Sequence, residues 1–210
     1  PGPPEGALAI SGRQGGHTGT LDPFASGLLP LCFGEATKFS QTLLDADKVY
    51  WAELTLGVRT TTADPEGEVI ETRPVKIDPA HLDPVLARFV GEFEQLPPMH
   101  SAIKKDGRPL YEYARQGIEV ERAARRVRVD SIERLDWAGD RLALRIRCGK
   151  GLYVRTLAED IGAALGCGAH LSALRREAVG PFRIEDSIGL DALATFSESE
   201  RDARLLPVDA

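Results

Sequence analysis

The plainest pattern in the chain is at Leu142, Leu144, Ile146 and Cys148, which alternate with Arg141, Ala143, Arg145 and Arg147. A period of two sends successive side chains to opposite faces, so these residues predict a half-buried strand with a basic outer face. Tyr50, Ala52, Leu54, Leu56 and Val58 alternate with more polar neighbours and predict another strand, and Val127 and Val129 open a further one. Elsewhere the spacing is helical. Leu157, Ile161 and Leu165 share one face of a helix that Gly166 and Gly168 end. Asp78 is placed to cap a helix carrying Leu82, Val85, Leu86, Phe89 and Val90 on one side. Phe39, Leu43 and Leu44 suggest a short helix, and Leu110 to Gln116 another. Asp64-Pro65-Glu66-Gly67 reads as the turn of a hairpin-like connection, and Pro97-Pro98 stops any helix there. Strands and helices interleave without regular βαβ alternation, which predicts one mixed-sheet α/β domain of the α+β type.

Composition narrows the class. A chain of 210 residues, 42% hydrophobic and 28% charged, suits a single globular domain with a substantial core. No apolar run approaches the roughly 20 residues a bilayer span requires, and the start PGPPEGALAISGRQGG carries no signal-peptide pattern. Residues 1–14 read as a flexible or cloning-derived segment. Cys32, Cys148 and Cys167 are odd in number and widely spaced, which suggests reduced thiols in a cytoplasmic protein. His81, His100 and His170 have no metal-ligand spacing, so no metal is expected. The net charge is −6, yet residues 100–185 hold 17 basic and 12 acidic residues, a local +5 against −11 elsewhere. Phosphate contacts need such basic charge, although a charge cluster is commonly just a solvated face.

One short stretch combines unusual chemistry. In GHTGTLDPFASGLLP, residues 16–30, Asp22 stands between a glycine-rich turn and Pro23. The proline fixes its own φ and biases Asp22 toward an extended conformation. A carboxylate on a stiff loop against apolar neighbours suits a nucleophile or general base, and it equally suits an ordinary Asp-Pro turn. Gly15 to Thr20 lacks the Gly-Lys-Ser/Thr ending of a phosphate loop, so no nucleotide cofactor is expected. Arg155 opens the amphipathic helix, where a cation opposes the helix dipole, so local helix electrostatics do not explain it.

The string from Gly16 through GEATKFSQTLLDADKVYWAELTLGVRTTTADPEGEV closely resembles the TruB family of tRNA pseudouridine synthases. PPMHSAIKKDGRPLYEYARQGIEV, GKGLYVRTLAEDIG and CGAHLSALRREAVG follow in the family's order, so the resemblance spans about Gly15 to Phe182. It implies a single, mostly antiparallel sheet flanked by helices, with an active cleft on one face. It further implies that a tRNA T-loop uridine, at position 55, is flipped out and isomerised without cofactor by a monomer. By the same resemblance Asp22 is the catalytic carboxylate, Arg155 its partner, and Tyr50 stacks on the uracil and helps remove the C5 proton. Tyr153 and Leu174 would line the uracil pocket, and His17 would fill the place the base has left. Residues 98–126, with Lys104, Lys105 and Arg108, would form an RNA-gripping insertion. Arg122, Arg125, Arg126, Arg145, Arg147, Arg175 and Arg176 are candidate phosphate contacts. The family's N-terminal Lys-Pro-x-Gly strand is not recognisable in residues 1–14, and its small RNA-binding domain is expected beyond Leu205-Leu206-Pro207, where the chain ends. The alternative expectation is an RNA-binding or tRNA-folding module without essential catalysis. A carboxylate glycosidase leaves Tyr50 and the basic stretch unaccounted for.

Overall fold

The computed structural model describes residues 15–207, so the expectations for residues 1–14 lie outside the described residues. In chain order its first elements are β1 (Gly15–His17), β2 (Ser26–Gly27), β3 (Leu31–Phe33), α1 (Ser40–Asp45), β4 (Lys48–Leu56), β5 (Val58–Thr60), β6 (Val69–Thr72), α2 (Pro79–Ala87) and β7 (Gly91–Gln95). There follow β8 (Lys104–Lys105), β9 (Arg108–Pro109), α3 (Leu110–Ala114), β10 (Arg125–Ala138), β11 (Arg141–Cys148), α4 (Val154–Ala164), β12 (Ala169–Val179), β13 (Phe182–Arg183), α5 (Leu190–Thr195) and α6 (Glu198–Asp202).

Seven strands form one sheet, ordered β13-β12-β4-β11-β10-β7, with β2 laid against β12. The β2–β12 pairing is parallel, and the remaining pairings are antiparallel. The mixed, mostly antiparallel sheet flanked by helices is thus present. Its two faces differ as the alternation requires. Ala52, Leu54 and Leu56 of β4 and Leu142, Leu144 and Ile146 of β11 lie on the inner face, buried under Leu157 and Ile161 of α4 and Leu82 and Leu86 of α2. Each such leucine removed from water contributes roughly 1.5–3 kcal/mol. Arg141 and Arg145 project from the outer face, where they pair with Glu53 and with Glu133 and Glu177.

Two local expectations need adjusting. The helix capped by Asp78, whose carboxylate accepts from the Ala80 N–H at 2.9 Å, stops at Ala87, before Phe89 and Val90. Val58 belongs to β5 rather than to β4, because the chain turns at Gly57, where φ is +82°. A feature without a period in the sequence is the β1–β3 ladder, which pairs Gly15 with Phe33 and His17 with Leu31 and so closes the base of the Asp22 loop.

Candidate active site

The Asp22 loop is built by its two ends. Thr18, fully buried, donates its N–H to the Pro30 carbonyl at 3.2 Å, and the Ala25 N–H closes a turn onto the Asp22 carbonyl at 2.9 Å. The far end runs along β12 as strand β2. Gly27 is obligatory there: its φ is +108°, and a Cβ would stand 2.3 Å from the Arg176 carbonyl oxygen. A glycine-rich loop was legible in the sequence; its docking onto a strand some 150 residues later was not.

Arg155, at the start of α4, reaches the loop from below. Its Nε donates to Asp22 Oδ2 at 2.8 Å and its Nη2 to Asp22 Oδ1 at 3.0 Å, a two-pronged pairing. The same Nη2 donates to the His100 carbonyl at 2.8 Å. Nη1 donates to Asp64 Oδ2 at 3.2 Å and to the Thr62 carbonyl at 3.3 Å. All five guanidinium N–H groups therefore have acceptors. Arg155 is 4% exposed and the Asp64 side chain 3%, whereas the Asp22 side chain is 32% exposed. One buried cation thus serves two carboxylates, and only Asp22 meets solvent. The guanidinium is fixed by its buried acceptors and presents a forked donor to the one carboxylate that faces outward.

Asp64 is the member of this cluster that the sequence reading missed. Its Oδ1 accepts from the Thr62 hydroxyl and from the Glu66 N–H at 3.0 Å, which is a turn of the kind Asp-Pro-Glu-Gly suggests. The turn signal was correct but hid a buried charge. Gln95, at the end of β7, was missed as well. Its side chain accepts from the Tyr153 N–H at 2.9 Å and donates to the Tyr153 carbonyl at 3.2 Å, holding the residue that precedes α4.

The other expected site residues fall at different distances from the ion pair. Tyr50 lies on the inner face of β4 beside Arg176 of β12. Burial pushes its phenol up to about 12; the Cys148 thiol and the Asp22 carboxylate add to the rise, and Arg176 opposes it. Burial likewise raises Tyr153, opposed by Ser101, Arg125 and Arg155 while Asp22 adds to the rise, so both tyrosines feel the Asp22 carboxylate. Leu174 is buried and, with Phe24, Ser26, Trp51 and Arg175, lines a cleft of about 370 Å³ beside the loop. Asp22, Tyr50 and Tyr153 are not in its walls. His17 is exposed on β1, outside the ion pair.

The basic candidates divide sharply. Arg176 is 2% exposed and hydrogen-bonds to main-chain carbonyls, so its assignment as a phosphate contact is corrected: it faces the interior. Arg126 pairs with Glu92, Arg122 with Glu119, and Arg145 with Glu177 and Glu133. Arg125, Arg147 and Arg175 stay exposed, with no ion pair among the described residues. In the 98–126 segment, β8 and β9 form a small hairpin whose Arg108 pairs with Glu112 at 2.9 Å, and the His100 carbonyl ties the start of this segment to Arg155. Among the described residues no group of His, Cys, Asp and Glu side chains could hold a metal, and no helix is long and apolar enough to cross a membrane.

Burial at this site makes stability depend on alkaline pH. Burial pushes the Cys148 thiol to about 12 from an ordinary 9.0, and Tyr50 to about 12 from 10.0. In the unfolded chain both ionise first, so the folded state binds more protons and stability falls as pH rises. Their contribution is complete below about pH 9 and is lost by about pH 12, on the order of a few kcal/mol. Lys48, whose ammonium burial depresses, acts in the opposite sense and softens the slope. Melting temperatures across this range should fall for the natural chain and fall less steeply for Tyr50→Phe; equal slopes would mean that Tyr50 is not the group responsible.

Comparison with known proteins sets this geometry in context. A family model described as TruB family pseudouridylate synthase (N terminal domain) matches residues 9–154, and one described as tRNA pseudouridylate synthase B C-terminal domain matches residues 155–210. Their junction falls inside α4, between Val154 and Arg155, and strands from both sides share the one sheet. A tRNA pseudouridine synthase B of Burkholderia mallei (strain NCTC 10247) is 61% identical over 198 residues, covering 94% of this chain and 66% of that protein. That of Dechloromonas aromatica (strain RCB) is 61% identical over 201 residues, covering 96% and 67%. The chain thus spans about two thirds of the length of these curated relatives. Among solved structures, a chain of a Cbf5-Nop10-Gar1 complex superposes with a TM-score of 0.68 at 32% identity, over 93% of this chain and 52% of that one. A chain of an H/ACA RNP bound to a substrate RNA containing 2′-deoxyuridine gives 0.64 at 28% identity, over 93% and 48%.

Proposed function

The chain belongs to the TruB family of pseudouridylate synthases, and from that premise we propose that it isomerises the T-loop uridine at position 55 of tRNA to pseudouridine, with Asp22 as the catalytic carboxylate. The observation that carries this reading is the two-pronged Arg155–Asp22 pair, in which a buried cation supports a carboxylate that remains open to solvent.

The reaction moves atoms without net redox change. The bond between uracil N1 and ribose C1′ breaks, the base turns, a bond forms between C5 and C1′, the C5 proton leaves, and N1 takes up a proton. An ionised carboxylate acting at C1′ or at C6 supplies covalent or electrostatic help, and the rest is positioning. Arg155 orients the Asp22 carboxylate through its two-pronged hydrogen bond. Tyr50 and Tyr153 would hold the flipped uracil, Leu174 would close its apolar edge, and His17 would fill the stack the base vacates. Lys104, Lys105 and Arg108 would grip the RNA stem through its phosphates. In this reading the enzyme is a monomer of the cytoplasm, in keeping with three free, buried cysteines.

Because burial holds Tyr50 as a phenol, it serves as a positioned hydroxyl near neutral pH and not as a standing phenolate. Tyr50→Phe should therefore slow single-turnover conversion by roughly 10²-fold or more while RNA affinity changes only a few-fold. A loss confined to affinity would reduce Tyr50 to a stacking surface.

The function itself is tested by tritium release from C5-tritiated uridine in a T-arm stem-loop RNA. Release without free uracil is expected. RNA binding with no release by pure protein would replace this reading with that of a binding module.

A further inference from the structure

Arg176 is among the largest fully buried side chains in the protein, and among the described residues no carboxylate pairs with it. Burying an unpaired guanidinium is costly, and a well-packed neutral side chain would serve stability better. Its hydrogen bonds indicate what the charge does. Nε donates to the Leu28 carbonyl at 2.8 Å and Nη2 to the Gly19 carbonyl at 3.2 Å. These carbonyls stand at the two ends of the segment that carries Asp22. The main chain of the same residue completes the grip, since its carbonyl accepts the Leu28 N–H at 2.8 Å. Gly27 lies so close over that carbonyl that no side chain fits between them. Across the sheet, Arg176 is also the register partner of Tyr50.

We propose that Arg176 is a positioning residue for the isomerisation: one guanidinium staples both ends of the Asp22 loop to β12, next to the strand that carries Tyr50. The two buried arginines then divide the work. Arg155 orients the Asp22 side chain, and Arg176 sets where its backbone stands. Only a planar fork reaches two carbonyls from one buried stem, so lysine is not an equivalent. The groups facing Arg176 agree with this division: Lys48 repels it, Tyr50 accepts its influence, and main-chain carbonyl dipoles take the place of a counter-ion.

The assignment of catalysis rests on the synthase reading above, so the test keeps the two apart. Hydrogen exchange on the natural chain, without RNA, should show the Leu28 amide protected as strongly as β12, and the Ala25 amide well above an exposed loop. Rapid exchange at both positions would overturn the staple whatever the activity. Arg176→Lys and Arg176→Met are then compared in single-turnover tritium release and in RNA binding. For the lysine variant the expected result is a rate roughly 100-fold lower, the scale of a misplacement near 1 Å, with RNA affinity within about twofold. Exchange should quicken in Thr20 to Leu28 but not in α4. Methionine should lower the rate further, so that lysine acts as a partial rescue; if methionine does not fold, lysine carries the comparison, and if neither folds the exchange result on the natural chain decides. A folded variant with undiminished rate, or a rate loss matched by lost RNA affinity, would overturn the proposal. A natural chain that binds RNA without releasing tritium would sink the synthase reading and leave the exchange result standing.

Discussion

Asp22→Asn is expected to lower isomerisation by about 10⁴-fold or more while leaving the protein folded. The substitution preserves shape and removes the charge. Arg155 keeps its bonds to Asp64, Thr62 and His100, so most of its buried N–H groups stay satisfied. Asp22 is also partly solvated, and a carboxamide there still accepts one bond of the Arg155 fork, so the cost is one guanidinium N–H left without its acceptor. The melting temperature should therefore move by only a few degrees, and RNA affinity by a few-fold. A neutral amide cannot act as an anionic nucleophile, nor stabilise positive charge at C1′. Single-turnover tritium release checks the rate, and a retained rate within tenfold of the natural chain would remove Asp22 from the mechanism.

Arg155→Met is expected to damage stability and catalysis together. It strands Asp64, whose side chain is 3% exposed, without its cation, a change that typically costs about 3–5 kcal/mol. Arg155→Lys should fold better and still be slow, roughly 10²- to 10³-fold, because a single ammonium cannot form the Asp22 fork and reach Asp64 as well. The cause is separable by a double substitution. Adding Asp64→Asn to Arg155→Met neutralises the stranded acid and should recover part of the lost stability, measured by denaturant unfolding. No recovery would mean that packing around the guanidinium, and not the uncompensated charge, sets the cost.

These expectations join residues whose visibility in the sequence differed greatly. The long strands were legible because one-sided burial imposes a period of two, as at Leu142, Leu144 and Ile146. The strands that frame Asp22 were not. β1, β2 and β3 are two or three residues long and glycine-rich or exposed; β1 and β3 pair with each other across the Asp22 loop, and β2 pairs with β12 far along the chain. Arg155 could be suspected because it sits badly against a helix dipole. Asp64 gave no such signal, since an acid in a turn looks the same whether its carboxylate meets water or an arginine 91 positions away. Arg176 was misjudged as a phosphate contact: Leu174, Arg176 and Ala178 alternate inward along β12, a strand the sequence reading did not predict, which places the cation on the core face. That register, and not its proximity to other basic residues, indicates where the side chain goes.

The order of strands also has a consequence for how the protein is made. β4 lies between β11 and β12, both of which follow it in the chain, with β11 beginning only at Arg141. As the polypeptide leaves the ribosome, the central strand must wait for its neighbours, and Asp22 waits with it for an arginine 133 residues further on. Contacts this distant form slowly and leave strand edges open in the interval. A nascent chain stopped before α4 therefore carries the carboxylate but not the cation that supports it, so synthesis has to pass Arg155 before the Asp22–Arg155 pair can exist.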